Sequence, residues 1–185
     1  MFRRFWTGKR RAQIPVAALV LALVATAGAE PGNDPRAPEL TGDCAKLNVE
    51  AGHKVIAHAY AVGVQIYRWD GTSWGLVGPD AVLYHGDDQD GGVLGSHYAG
   101  PTWESVSGSK VVGTVAERCF PDPTAIPWLK LKASHSEGPG IFDGVTWIQR
   151  LNTIGGLAPT DPGDFVGEVV KVPYAADYYF YRAHP

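Results

Sequence analysis

The sequence predicts an all-β fold, a single-domain antiparallel β-barrel with a β-sandwich as the alternative. Three observations predict it. Short runs of alternating apolar and polar residues recur between residues 54 and 182, and no segment after residue 30 shows a helical period. Clusters of Gly, Pro and Asp interrupt those runs, as turn residues do. The chain also holds 23 glycines, which suits tight turns and bulges. Roughly nine or ten short strands at such spacing make a barrel or a sandwich.

The elements follow in order. Residues 54–60 are the first strand run. In VGVQIYRW, residues 62–69, Val62, Val64 and Ile66 alternate with Gln65, Tyr67 and Trp69. Asp70-Gly71, between Trp69 and Trp74, is the strongest short hairpin signal in the chain. Strand runs at 80–84 and 93–98 flank the acidic loop HGDDQDGG, residues 85–92. Ser107-Gly108 turns the chain into a run at 110–118. FPDPTAIPW holds three prolines and reads as an irregular crossing. In PWLKLKAS, Leu129, Leu131 and Ala133 face one way, and Lys130 and Lys132 face the other. VTWIQRLN sets Val145, Trp147 and Leu151 against Thr146, Ile148 and Arg150. Runs at 166–172 and in DYYFYR complete the series, with Tyr179 and Tyr181 on one face and Phe180 on the other.

The ends read differently. Arg3, Arg4, Lys9, Arg10 and Arg11 precede an apolar run, Ile14 to Ala29, that closes on Ala27-Gly28-Ala29. Basic, then apolar, then small residues make an export signal over residues 1–29. A membrane anchor is the alternative, but the run is shorter than the ~20 residues a spanning helix needs. Residues 30–43, rich in Pro, Asp and Gly, read as a disordered leader. Residues 44–185 form the all-β domain, long enough for a real core. Five of the 16 basic residues and none of the 19 acidic ones lie in residues 1–29, which leaves −8 on the remainder. That sign speaks against nucleic acid or anionic lipid as a partner. In an exported chain the two cysteines, Cys44 and Cys119, most simply form one disulfide. Two separate buried thiols are the other reading. No membrane span is expected after signal cleavage, and no cofactor motif is present.

Five segments carry a family resemblance: AGHKVIAHAYAVGVQIYRWDG, GSHYAGPTWESVSGSKVVG, AIPWLKLKA, VTWIQRLNTIGG and VPYAADYYFYR. Together, from about residue 45 to 183, they resemble the secreted family catalogued as domain of unknown function 3455. The resemblance implies an exported protein, supplies no catalytic residue and implies no activity. Some members of that family carry an automatic malate dehydrogenase label, which this sequence does not support. A dinucleotide site needs G-x-G-x-x-G between a strand and a helix. In GPGIFDG, residues 138–144, the third glycine falls one place late and no helical pattern follows.

Few residues are candidates for chemistry. His97 and Glu104 share the stretch GSHYAGPTWE, and such a pair can run acid–base chemistry because His titrates near neutrality and a carboxylate can orient its ring. Arg150 would hold an anion beside them. The competing reading makes His97 a strand residue bonded to a backbone carbonyl. Asp88 and Asp90 resemble a fragment of a calcium loop, without the remaining oxygen ligands, and a solvated hairpin tip explains them better. His85 and His97 flank that loop and could meet across it. Trp69, Tyr98, Trp103, Trp147 and Gln149 could form a sugar platform, with rings stacking on a pyranose and polar groups reading its hydroxyls. Aromatics also fill β-domain cores, and that is the weightier expectation. The leading functional reading is a secreted, non-catalytic binding or cell-envelope-associated domain, with carbohydrate or a small molecule as its ligand. The alternative is a small extracellular hydrolase or isomerase that uses His97 and Glu104.

Overall fold

The structure, a computed structural model, describes residues 34–184. The expected export signal at 1–29 and residues 30–33 of the expected leader lie outside the described residues. A short 3-10 helix, Gly42–Leu47, precedes eight strands: β1 (His53–Trp69), β2 (Trp74–His85), β3 (Val93–Tyr98), β4 (Thr102–Ser105), β5 (Lys110–Cys119), β6 (Trp128–Glu137), β7 (Val145–Gly155) and β8 (Val169–Ala183). They form a closed barrel in sequence order, every pair antiparallel, and β8 returns to β1. The predicted all-β antiparallel barrel is therefore present.

Expected runs fuse where the backbone needs no break. Runs 54–60 and 62–69 are one strand, β1, and runs 166–172 and 177–182 are one strand, β8. Gly63 is not a break within β1. A Cβ there would lie 2.2 Å from the Asp80 carbonyl oxygen, so the glycine permits close approach of β2. Strand β4, TWES, was not among the expected runs. The Asp70-Gly71 turn forms as expected. Trp69 pairs with Trp74, and the Asp70 carboxylate accepts from the Thr72 and Ser73 amides at 2.7 and 2.8 Å.

An eight-stranded barrel leaves room for little more than its own side chains. Here small residues face large ones. Ala57, Ala59 and Ala61 of β1 are buried in the same core as Trp103, Phe142, Tyr178 and Phe180. Along β1 the inward residues continue as Gln65 and Tyr67, both buried, while Val62, Val64 and Ile66 are only half-buried on the outside. On β8 the inward set is Tyr174, Ala176, Tyr178 and Phe180.

Much of the outer face of β7 is covered as well. Leu47 of the 3-10 helix packs with Leu151 and Cys119 in a second apolar cluster, flanked by Leu40, Trp128 and Tyr179. The Cys44–Cys119 disulfide fastens this helix to the end of β5. Residues 34–43, expected to be a disordered leader, differ from that expectation. The Asp34 carboxylate accepts from the Val55 amide at 2.9 Å, and Asn48 exchanges two hydrogen bonds with the Leu40 backbone. The first occupies a backbone amide of β1, and the other two occupy the backbone N–H and C=O of Leu40. Among the described residues no helix is long and apolar enough to cross a membrane.

Candidate functional site

The barrel interior has two halves. Around Leu83, Leu94, Val111, Phe142 and Phe180 it is filled by buried apolar side chains. Toward Gln65, Tyr67 and Arg150 it opens into a chamber of about 260 Å³ with mostly apolar walls. The solvent-exposed residues Leu76 and Val115 stand at its rim.

An aromatic layer lines the chamber. Cross-strand pairing of β3 with β4 sets His97 opposite Trp103. Their rings stack at 4.3 Å with an interplanar angle of 7°. Tyr178 meets both rings edge-on, at 5.1 Å from His97 and 5.4 Å from Trp103. Trp103 fits because its neighbour on β5 is a glycine: a Cβ on Gly113 would lie 3.1 Å from the indole.

His97 is 3 % exposed. Its Nδ1 donates to the Thr102 carbonyl at 2.9 Å, which fixes the tautomer and leaves Nε2 as an acceptor. Burial pushes the imidazole down to about 3, against the hydrogen bond to Thr102, and the charge of Arg150 pushes the same way. His97 is thus neutral across the ordinary pH range.

Glu104 does not join it. Glu104 pairs with Ser96, so it emerges on the outer face of the sheet while His97 and Trp103 point inward. There it accepts a hydrogen bond from the Tyr98 hydroxyl at 2.7 Å and pairs with Lys110 at 3.5 Å. The expected His97–Glu104 acid–base pair is corrected by this geometry: side chains of adjacent paired positions alternate across a sheet.

Arg150 does reach the chamber. Its Nε and Nη2 donate to the Pro127 carbonyl at 3.2 and 2.9 Å. Gln149, one residue away, faces outward. It is fully buried beneath the 3-10 helix, donates to the Leu47 carbonyl at 2.6 Å and accepts from the Tyr181 hydroxyl. Trp147 lies on the outside under Lys130, whose ammonium sits 5.1 Å from its ring. Lys130 in turn bonds the Asn48 carbonyl and Glu50. Trp69 packs against Trp74 at the β1–β2 turn, 5.4 Å between rings. The expected platform of Trp69, Tyr98, Trp103, Trp147 and Gln149 is therefore dispersed, and of these only Trp103 lines the chamber.

Asp88 and Asp90 lie in the β2–β3 loop, where the Asp88 carboxylate accepts from the Asp90 amide at 2.8 Å and so caps its own turn. His85 and His97 do not meet: His97 pairs with Ala81, and His85 pairs with Ala59 of β1.

Sequence reasoning missed Gln65, Tyr174 and Tyr178. Gln65 Nε2 and Trp103 Nε1 are buried without a hydrogen-bond partner among the described residues, and the buried hydroxyls of Tyr174 and Tyr178 reach only each other and Arg150. The available signal was Gln65 itself, a polar residue in the middle of an apolar strand. Sequence reasoning also missed a polar cluster outside the barrel. Asp177 accepts from Asn152 at 2.8 Å and bonds His58 at 3.0 Å, and His58 stacks on Tyr179 at 4.2 Å. It ties β1, β7 and β8 together across the closure of the barrel.

A family model described as protein of unknown function (DUF3455) matches residues 50–182. No curated protein and no solved structure matches the chain.

Proposed function

The chain belongs to the DUF3455 family, and from that premise we propose that it is a secreted, non-catalytic binding protein that holds a small organic molecule inside its barrel. The observation that carries this reading is the chamber above the His97–Trp103–Tyr178 layer. At about 260 Å³ it approaches the low end of the ~300–1,000 Å³ range of small-molecule sites. It also has their character, apolar walls with a few convergent polar groups. An open carbohydrate platform receives no such support, because the tryptophans are dispersed. Catalysis by His97 and Glu104 receives none either, because the two lie on opposite faces of the sheet. Secretion is supported by the apolar run before Ala29 and by a disulfide, which belongs to oxidising compartments.

The test uses small apolar probes. Benzene or indole should raise the melting temperature of the wild type, and Val115→Trp, which places bulk at the rim, should abolish the rise. A wild-type melt that no such probe moves would refute the reading. Export is checked on the mature N-terminus, expected at Glu30; a start within residues 1–20 would refute it.

A further inference from the structure

Resting on that reading, we infer that the chamber selects a compact apolar molecule with a carboxylate head, bound against Arg150. The first argument is hydrogen-bond polarity. Two buried donors, Gln65 Nε2 and Trp103 Nε1, have no hydrogen-bond partner among the described residues, and the buried hydroxyls of Tyr174 and Tyr178 reach only each other and Arg150. The first two can only donate. Burial holds the Tyr178 phenol protonated against the charge of Arg150, and Tyr174 and Arg150 bond toward its oxygen, so its own proton is left to donate into the chamber. An occupant that satisfies such a set must be rich in acceptors.

The second argument is charge. Two arginines, Arg118 and Arg150, line the chamber, and no carboxylate does. Arg150 makes no ion pair among the described residues; the hydrogen bonds from its Nε and Nη2 go to the neutral Pro127 carbonyl. Its charge acts on Tyr67, His97, Tyr174 and Tyr178, which places it among the chamber's polar groups. A partly buried guanidinium with spare donors fits a carboxylate in two-pronged geometry. A cationic ligand would be repelled, and a neutral one would leave the guanidinium without a counter-charge.

The third argument is size. A cavity of about 150 Å³ holds one benzene ring in a protein interior. About 260 Å³ therefore accommodates a ring or short branched chain with its head group, and excludes a long acyl chain.

The test compares matched probes on the purified protein by calorimetry at pH 7: benzoate and phenylacetate, their neutral amides, and benzylamine. The carboxylates should bind at least tenfold tighter than the amides, and benzylamine weakest of all. In Arg150→Met the tenfold preference should vanish while amide affinity stays. Tyr178→Phe should weaken carboxylates severalfold and amides less. Amides that bind as tightly as the acids in wild type would overturn the carboxylate assignment and leave the chamber reading standing. So would a preference that survives Arg150→Met. If no probe binds, acid or neutral, the chamber reading itself fails. Should Arg150→Met not fold, the wild-type comparison and Tyr178→Phe still decide the matter.

Discussion

Replacing Gln149 by leucine should destabilise the protein without touching the chamber. Gln149 is fully buried and joins two elements: its amide nitrogen donates to the Leu47 carbonyl, and its carbonyl accepts from Tyr181. Leucine has nearly the same volume and can do neither. Both partners are themselves buried, Leu47 at 0 % and Tyr181 at 2 % exposure, so water cannot replace the lost bonds. Each stranded partner costs about 1–3 kcal/mol, and the added apolar burial of leucine returns ~1–2 kcal/mol. The expected net loss is about 3 kcal/mol. For a domain of this size that lowers the melting temperature by roughly 6–12 °C. Urea unfolding gives the free energy directly. Tyr181→Phe in the same background is the sharper control. Removing both ends of one bond costs less than the sum of the single changes, so the double variant should show a coupling of about 1–2 kcal/mol. A Gln149→Leu loss under ~0.5 kcal/mol, or strictly additive variants, would refute the structural role. Weakened probe binding in a variant that melts normally would restore Gln149 as a ligand contact.

Three further outcomes are expected. His97 is neutral in the fold and held at about 3, whereas in the unfolded chain it titrates near ~6.5. The unfolded state therefore binds more protons between those values, and stability present above ~6.5 is lost as pH falls toward 3. Melts from pH 7 to pH 4 should fall more steeply for wild type than for His97→Gln; equal slopes would show that His97 does not drive the acid loss. Reduction of Cys44–Cys119, separated by 75 residues, should cost about 4 kcal/mol by loss of chain constraint, and a melt unchanged by a reductant would contradict it. Gly113→Val puts branched carbons against Trp103, Leu131 and Ile148, and overpacking should cost ~1–3 kcal/mol in urea unfolding; a neutral result would mean that the aromatic layer yields.

Period and turn chemistry were legible in the sequence, and the inside of the barrel was not. In residues 62–69 the alternation is plain, yet the valines face out and Gln65 and Tyr67 face in. Periodicity separates two faces without naming which one is enclosed, and here both are partly covered. His97 and Trp103 share a face because of where β3 pairs with β4, a register set by the turn at 99–101. The same register sends Glu104 outward. Tyr178, the third member of the layer, arrives from β8 through pairings with β1 and β7. Such contacts depend on long-range register that one sequence does not display. The Cys44–Cys119 disulfide was readable because the expected export and the number of cysteines left one simple pairing.

The closure of β1 on β8 has a consequence for the order of assembly. Lys54 pairs with Arg182, so the first strand waits for nearly the whole chain before one of its edges is covered. Contacts of that span form slowly, because the loop-closure entropy must be met before they contribute. During synthesis β1 has only its β2 edge to lean on, and an open edge invites pairing with other chains. The last strand brings Tyr174 and Tyr178 with it, one of them part of the floor. The chamber is therefore among the last things the chain makes. A chain arrested or clipped before residue 178 would have much of its sheet and no room to hold a guest.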